Sequence, residues 1–323
     1  MLNRRQVLMG AAAGPLAVAG AMAQTAFPSR PLRILVGYTA GGAVDLIARS
    51  LAQQLQASLG QPVVVENKPG AGTNVAIRAL ADSPPDGYTL MLAANALAAN
   101  VTLYEPAPYN LARDVTPVSL VGRVPVVLAV AAASPVAGLQ QFVAAAKADP
   151  RKVNYGSPGN GSTPHLAMEL FERAAGIKLT HVPYKGGSQA ITDVLGGHVQ
   201  AVAVNALEVQ PHVRAGKLRV LGVMTPQRSG IFPEVPTVAE SGFPGFEASV
   251  WYGLVAPGAL PQPVAARLHA DVQKALATDE VRQRLTSAGG EVLPGPAAQL
   301  AKLLQDESAR YARLIREGQI KPD

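Results

Sequence analysis

The residues best placed to do chemistry lie in two glycine-rich loops. Tyr38-Thr39-Ala40-Gly41-Gly42 follows the apolar run Leu32-Arg33-Ile34-Leu35-Val36 and leads straight into a helical pattern. Gly156-Ser157-Pro158-Gly159-Asn160-Gly161-Ser162-Thr163 stands in the same relation to Val153-Asn154-Tyr155-Gly156 and to a helix opening at Pro164. Glycine lets the backbone approach a guest closely and accepts positive φ. A helix start leaves N–H groups without partners and carries partial positive charge, so a loop of this kind is a seat for an anion. Asp45, in the first turn after the first loop, is placed to accept from a loop N–H and hold the loop in shape. Ser162 or Thr163 is a natural helix cap and Pro164 a favoured first helical residue. The hydroxyls of Ser157, Ser162 and Thr163 can donate to a carboxylate. Taken singly, either loop also suits an ordinary strand-to-helix turn. As a pair, one in each half of the chain, they can close on one small anion from opposite sides. Each helix end supplies ~0.5–2 kcal/mol against the roughly 8 kcal/mol of a micromolar complex, so hydrogen bonds and burial have to supply the rest.

Other site chemistries fit the residues less well. The 323 residues include no cysteine, which excludes disulfides, thiol catalysis, cysteine-based zinc sites and an acylated lipoprotein anchor. There is no Gly-x-x-x-x-Gly-Lys-Ser/Thr phosphate loop, no Gly-x-Ser-x-Gly elbow, and Gly70-Ala71-Gly72 lacks the third glycine of a dinucleotide fingerprint. The five histidines, His165, His181, His198, His212 and His269, show no metal-ligand spacing. His165, about a turn into the helix after the second loop, suits a structural hydrogen bond better than catalysis. Neither a cofactor, a metal nor an enzymatic constellation is expected. The formal charge of +6 comes without a basic block, and aromatics make up 5% of the chain, so nucleic acid is not an expected partner.

The elements that must position the loops alternate between strand and helix. Leu32–Val36, Val63–Val65 and Tyr88–Leu92 read as strands. Between them lie helical patterns at Val44–Leu59, with Ile47, Leu51, Leu55 and Leu59 on one face, and at Thr73–Ala81. The rhythm restarts with strands at Val126–Val130 and Val153–Gly156, an extended segment at His181–Tyr184, and strands at Val199–Val204, Leu218–Val223 and Trp251–Ala256. Helices are expected at Leu139–Ala148, Pro164–Ala175, Ser188–Leu195, Val264–Ala277 and Ala297–Glu317. This is the pattern of two parallel α/β units. Hydrophobic residues at 48% against 15% charged exclude intrinsic disorder.

The amino terminus reads as an export leader. Arg4 and Arg5 precede an apolar run from Val7 to about Ala21, and Ala21-Met22-Ala23 offers a small-x-small cleavage site before Gln24. The run contains Pro15 and falls short of the ~20 residues a membrane span needs. Asn3-Arg4-Arg5-Gln6-Val7-Leu8-Met9 is also twin-arginine-like, so residues 1–23 suit either the general secretory or the twin-arginine route. A periplasmic product is expected.

Several segments together resemble the periplasmic solute-binding proteins of tripartite tricarboxylate transporters, the Bug or TctC family. They are Gly37–Arg49, Val65–Gly72, Pro85–Leu90, Tyr155–Ala167, His181–Gly187, Val235–Gly242 and Trp251–Leu254, in family order across the chain after the leader. The resemblance implies a type II periplasmic binding protein, with two α/β domains in a Venus-flytrap arrangement joined by two crossovers. Domain 1 would comprise 24–124 and 248–323 and domain 2 residues 125–247, with crossovers near Gly122–Pro125 and Glu247–Trp251. It places ligand contacts at Tyr38, Ala40, Gly41, Gly42 and Asp45 in one domain and at Ser157, Gly161, Ser162, Thr163 and His165 in the other. Asn95 and Asn205 would shape the distal end of the ligand. Ala201-Val202-Ala203-Val204-Asn205 departs from the family pattern, where a bulky aromatic and an acidic residue are common, and this implies a less polar or bulkier acid. Tyr38-Thr39 replaces a frequent aromatic–proline pair.

The function these features imply is capture of a small organic carboxylate in an interdomain cleft and delivery to a tripartite tricarboxylate-type membrane permease, by a monomer. Rival readings are docking of the closed protein on a membrane sensor kinase, and an exported carboxylate-processing enzyme on a similar scaffold. Against the enzyme stand the missing nucleophile, metal and acid–base pair.

Overall fold

A computed structural model of the chain describes residues 27–149, 153–287, 290–318 and 320–322; the leader at 1–23 lies outside the described residues. Ten strands follow one another as β1 (Leu32–Val36), β2 (Val63–Asn67), β3 (Thr89–Ala93), β4 (Val115–Ala131), β5 (Asn154–Ser157), β6 (Thr180–Pro183), β7 (Ala201–Asn205), β8 (Leu218–Val223), β9 (Ser249–Pro257) and β10 (Glu291–Gly295). They pair in the order β2-β1-β3-β9-β4-β7-β5-β6, with β8 and β10 also on β4.

Two lobes are organised around β4. In the first lobe β1 pairs parallel with β2 and β3, joined through the helices Ala43–Leu59 and Asn74–Ala81. The βαβ connection puts each helix start at the carboxyl edge of the preceding strand, where ligand crevices form in open α/β sheets. Ile47, Leu51, Leu55 and Leu59 are all buried on the inner face of the first helix. That helix ends at Gly60, whose φ of 67° is the left-handed conformation of a C-cap. The second lobe repeats the logic, with β5 parallel to β6 and β7 and helices at Leu139–Ala148, Thr163–Ala175 and Gly187–Leu195.

Strand β4 belongs to both lobes. Its first part, through Pro125, pairs antiparallel with β9; from Val126 onward it pairs with β7 and β8. The second connection runs from the end of β8 to β9, where Met224 donates to Val126 O at 2.9 Å and Ala248 donates to Met224 O at 2.7 Å. Two adjacent extended segments therefore carry the chain between lobes. The C-terminal helix Ala297–Gly318 returns to the first lobe and packs on the helix Ala96–Leu103, with Ser308 Oγ donating to Ala98 O at 3.1 Å.

Several elements differ from the sequence reading. Val115–Pro125 is strand, and Ala96–Leu103, Ala206–Arg214, Asp279–Thr286 and β10 form as well. The helix Ala96–Leu103 is buried on most of its circumference, so it shows no polar face and no helical period. The helix Ala206–Arg214 contains Pro211, which reads as a breaker, but Pro211 lies in the sixth position of a short helix. Its ring removes one donated amide bond and crowds the Leu207 carbonyl four residues back, and the helix forms nonetheless.

Leu51 is fully buried between the first helix and the sheet. Truncation there should cost about 2–5 kcal/mol from lost burial and the residual cavity. Urea unfolding of Leu51→Ala reads this directly; a loss below about 1 kcal/mol would mean the site repacks or is not core.

Candidate functional site

Four helix N-termini converge on one interlobe cavity of about 20 Å³. Gly42, Ala43 and Val44 come from the start of the helix Ala43–Leu59. Ser162, Thr163 and Pro164 come from that of Thr163–Ala175. Gly187 opens the helix Gly187–Leu195, and Asn205 and Glu208 stand at the start of Ala206–Arg214. Tyr38, Ala94, Pro158 and Val250 complete the wall. Among the described residues no lysine or arginine lines this cavity. The N–H groups and partial positive charge of the helix ends therefore dominate its electrostatics.

The lobes meet backbone to backbone around the cavity. Thr39 donates to Lys185 O at 3.2 Å across the cleft. A Cβ on Gly72 would lie 2.6 Å from Asn160 O, and one on Gly161 2.5 Å from Asn100 Oδ1. Gly186 is extended, with φ 173°, yet any Cβ there would overlap Thr39 Oγ1. Glycine is required at Gly186 by close approach rather than by backbone conformation.

The first loop is fixed by Asp45, which is 2% exposed. Its carboxylate accepts from Gly41 N–H at 3.0 Å, from Arg49 at 2.9 and 3.0 Å, and from Asn67 Nδ2 at 2.9 Å. Burial pushes the Asp45 carboxyl up, but the Arg49, Gly41 and Asn67 hydrogen bonds outweigh it and hold the group below the usual carboxylate range. Asn67 also donates to Tyr38 O at 3.0 Å. Asp45 thus positions the loop from behind, while Ala40 and Gly41 are exposed and stand outside the cavity wall.

The second loop has its own support. Ser162 accepts from His165 N–H at 3.4 Å as the N-cap. Gly161 N–H donates to His165 Nδ1 at 3.1 Å, which fixes that nitrogen as the unprotonated acceptor. The His165 ring stacks on His181 with centroids 4.1 Å apart. Ser157 Oγ lies 2.6 Å from His181 Nε2 and accepts from Gly159 N–H at 3.1 Å. Ser157, Gly161 and His165 therefore hold the loop up, and Ser162 and Thr163 face the cavity.

Of the twelve residues singled out from sequence, the structure brings Tyr38, Gly42, Ser162, Thr163 and Asn205 to the cavity wall. Asn95 turns the other way. Its amide donates to Glu307 Oε2 at 3.1 Å and Tyr311 Oη at 2.8 Å, and its oxygen accepts from Trp251 N–H at 3.1 Å. It fastens the C-terminal helix to the sheet. Sequence reading also missed Gly187 and Glu208. The signal for Glu208 is the capping-box spacing Asn205-x-x-Glu208, although the Asn205 side chain caps no backbone N–H and donates to Glu208 instead.

Glu208 is the one charged group on the wall. Its carboxylate accepts from Asn205 Nδ2 at 2.9 Å and lies beside the backbone N–H of Ala43 across the cleft. Burial raises it to about 7, against the lowering pull of those bonds. The Tyr38 and Tyr252 hydroxyls are pushed up, first by burial and then by Glu208. Four buried polar atoms in this region, Thr39 Oγ1, Asn205 Oδ1, Glu208 Oε2 and Tyr252 Oη, have no hydrogen-bond partner. A cavity walled by N–H groups, hydroxyls and amide oxygen can bind and orient a small polar guest. Among the described residues no group of three or more His, Cys, Asp and Glu is arranged to hold a metal ion, and no helix is long and apolar enough to cross a membrane.

Comparison with known proteins places these features. Residues 47–320 match the family described as tripartite tricarboxylate transporter family receptor, TctC. The chain is 36% identical over 318 residues to protein BugT of Bordetella pertussis, covering 98% of each. Among solved structures, Rpa4515 of R. palustris with adipate superposes with a TM-score of 0.88 at 32% identity, covering 92% of this chain and all of that one. MatC (Rpa3494) of Rhodopseudomonas palustris with bound malate superposes with a TM-score of 0.86 at 32% identity, covering 90% of this chain and all of that one. Both likenesses extend over the two lobes, so the fold is the two-domain, flytrap-like α/β type.

The histidine pair gives the site's support a pH signature. Burial, with a smaller contribution from Lys178, lowers His165 from 6.5 to about 4, and burial followed by His165 lowers His181 further. The folded protein then binds fewer protons than the unfolded chain, so stability from the neutral pair is complete above pH 6.5 and is lost as pH falls through about 4. Glu172 and Glu208, both raised from 4.5 to about 7 chiefly by burial, act oppositely. Their contribution is complete below pH 4.5 and is lost as pH rises through about 7. Replacing His165 by Gln should flatten the acid decline between pH 6.5 and 4, by on the order of 3 kcal/mol. Urea midpoints across that range test this, and an unchanged slope would show that His165 is not held neutral by the fold.

Proposed function

The chain belongs to the tripartite tricarboxylate transporter receptor family, and from that premise we propose that it captures a small organic carboxylate between its lobes and presents it to the permease of such a transporter. The observation that carries this reading is the convergence of four helix N-termini on one cavity whose walls hold no lysine or arginine. Backbone N–H groups there replace the hydration that a carboxylate loses on entering. They do so with fixed dipoles that need no reorganisation as the lobes close. Ser162 and Thr163 add hydroxyls from the second lobe, and Tyr38 adds one from the first. The relatives with adipate and malate bound support a carboxylate guest for a cleft of this kind.

Capture requires the lobes to part, and the two connections supply the hinge. We place domain 1 at 24–124 and 248–323 and domain 2 at 125–247. The hinge then sits where β4 changes partners at Pro125 and Val126 and where Met224 and Ala248 bridge the second strand. Export to the periplasm follows from the Arg4-Arg5 leader and the Ala21-Met22-Ala23 cleavage site.

Isothermal titration of the protein, freed of copurified ligand, against mono-, di- and tricarboxylates should find at least one micromolar binder. Gly42 is extended (φ −77°, ψ 168°), and a Cβ there meets nothing closer than 3.6 Å. Gly42→Val therefore keeps the fold while its methyl groups enter the seat, and affinity should drop at least ~tenfold, about 1.4 kcal/mol. Absence of binding by every acid, or full affinity in Gly42→Val, would move the ligand elsewhere.

A further inference from the structure

A carboxyl group of the chain itself already occupies part of this seat. Glu208 reaches from the second lobe to the Ala43 N–H that opens the first-lobe helix. On its other side lies Gly187, at a third helix start, where any Cβ would overlap Glu208 Oε2; a Cβ on Gly42 would stand 3.7 Å from the same oxygen. The carboxylate thus fills the place between helix ends where one end of a diacid would otherwise sit.

Its remaining valence points to what the guest must offer. Glu208 Oε2 is inaccessible and without a partner. So is the Oδ1 of Asn205, a residue 5% exposed whose amide nitrogen is already committed to Glu208 Oε1. Both are acceptors, and both stand at the same cavity wall. Buried acceptors of this kind call for a donor. With no lysine or arginine on the wall, a second carboxylate brought against Glu208 meets either a like charge at close range with no cation to offset it or a carboxyl held protonated, whereas a cationic nitrogen favours the ionised form. A nitrogen carrying hydrogens meets both oxygens at once.

We propose that Glu208 sets the charge class of the guest: the cleft takes a carboxylate that also bears an ammonium or amide nitrogen, and discriminates against the dicarboxylate of the same length. The guest's carboxylate lies at the Ser162–Pro164 helix start and its nitrogen faces Glu208 Oε2 and Asn205 Oδ1. This assignment rests on the interlobe cleft being the ligand site, and it separates this chain from its relatives solved with adipate and malate.

Titration calorimetry on ligand-freed protein tests it with two matched sets: succinate, succinamate and β-alanine, then glutarate, glutaric monoamide and 4-aminobutyrate. In the wild type a nitrogen-bearing member of at least one set should bind at least ~tenfold tighter than its diacid, and in Glu208→Gln, which keeps the shape and removes the charge, that ratio should shrink at least ~tenfold or invert (~1.4 kcal/mol per decade). Diacids that bind the wild type as tightly as their nitrogen counterparts overturn the assignment and leave the carboxylate cleft standing. A ratio unchanged within twofold in Glu208→Gln overturns it as well. If no compound of either set binds either protein, the assignment falls, and the wider panel of mono-, di- and tricarboxylates decides the cleft reading. Should Glu208→Gln not fold, the wild-type ratios decide alone.

Discussion

Everything at the cleft depends on helix starts aimed at a place with no compensating side-chain cation. A helix N-terminus leaves several N–H groups without intrahelical partners, and four such ends surround a cavity of about 20 Å³. The topology makes this unavoidable. Parallel strands β1, β5 and β7 each run into a helix at the same edge of their sheet, so the helix starts of each lobe gather on one side. Facing those sides across a two-strand hinge brings them together. The proposed anion preference thus rests on chain connectivity first and on particular side chains second.

Closure then places demands that explain residues otherwise hard to account for. The lobes touch through backbone at Thr39 and Lys185, and glycines at Gly72, Gly161 and Gly186 leave no room for a Cβ. Each is a point where one lobe reads the shape of the other. Behind this seam sit the supports: Asp45 and Asn67 under the first loop, and His165, His181 and Ser157 under the second. These polar groups are buried or half-buried and hydrogen-bonded to the loops and to their neighbours, so they rigidify the loops. Residue type marks Asp45, Ser157 and His165 as candidate ligands, and geometry places them behind the wall.

The fold was legible in the sequence wherever burial was one-sided. Ile47, Leu51, Leu55 and Leu59 declare a helix because the opposite face is polar, and the short valine runs declare strands. Legibility failed where that contrast disappeared. The helix Ala96–Leu103 has apolar neighbours nearly all round. The first part of β4 is broken in sequence by Pro117, Gly122 and Pro125, yet it pairs along its length with bulges between Pro117 and Ser119 and between Leu120 and Gly122. At the cavity, the glycine loops announce themselves through spacing. Which of their residues line the wall depends on a rotation of the loop that no local pattern encodes, which is why Ser157 and Gly161 sit behind it while Ser162 and Thr163 line it.

The end of β7 shows how a local departure can mislead. Ala203 and Val204 are apolar, part of a run Ala201–Asn205 that departs from the aromatic and acidic residues the family resemblance leads one to expect there, and this implies a less polar guest. Both side chains are buried within the sheet, and the wall beyond them is polar, formed by Asn205 and Glu208. An acid is nonetheless present in this region, in the first turn of the following helix. There it serves as the partner of its own N-cap and also reaches the opposite lobe's helix start. A carboxyl group in that position is tied to its own N-cap residue and lies beside the opposite lobe's helix start, so it stays at the wall whenever the lobes close. The proposed selectivity follows from that placement, because any guest in the cleft meets this group.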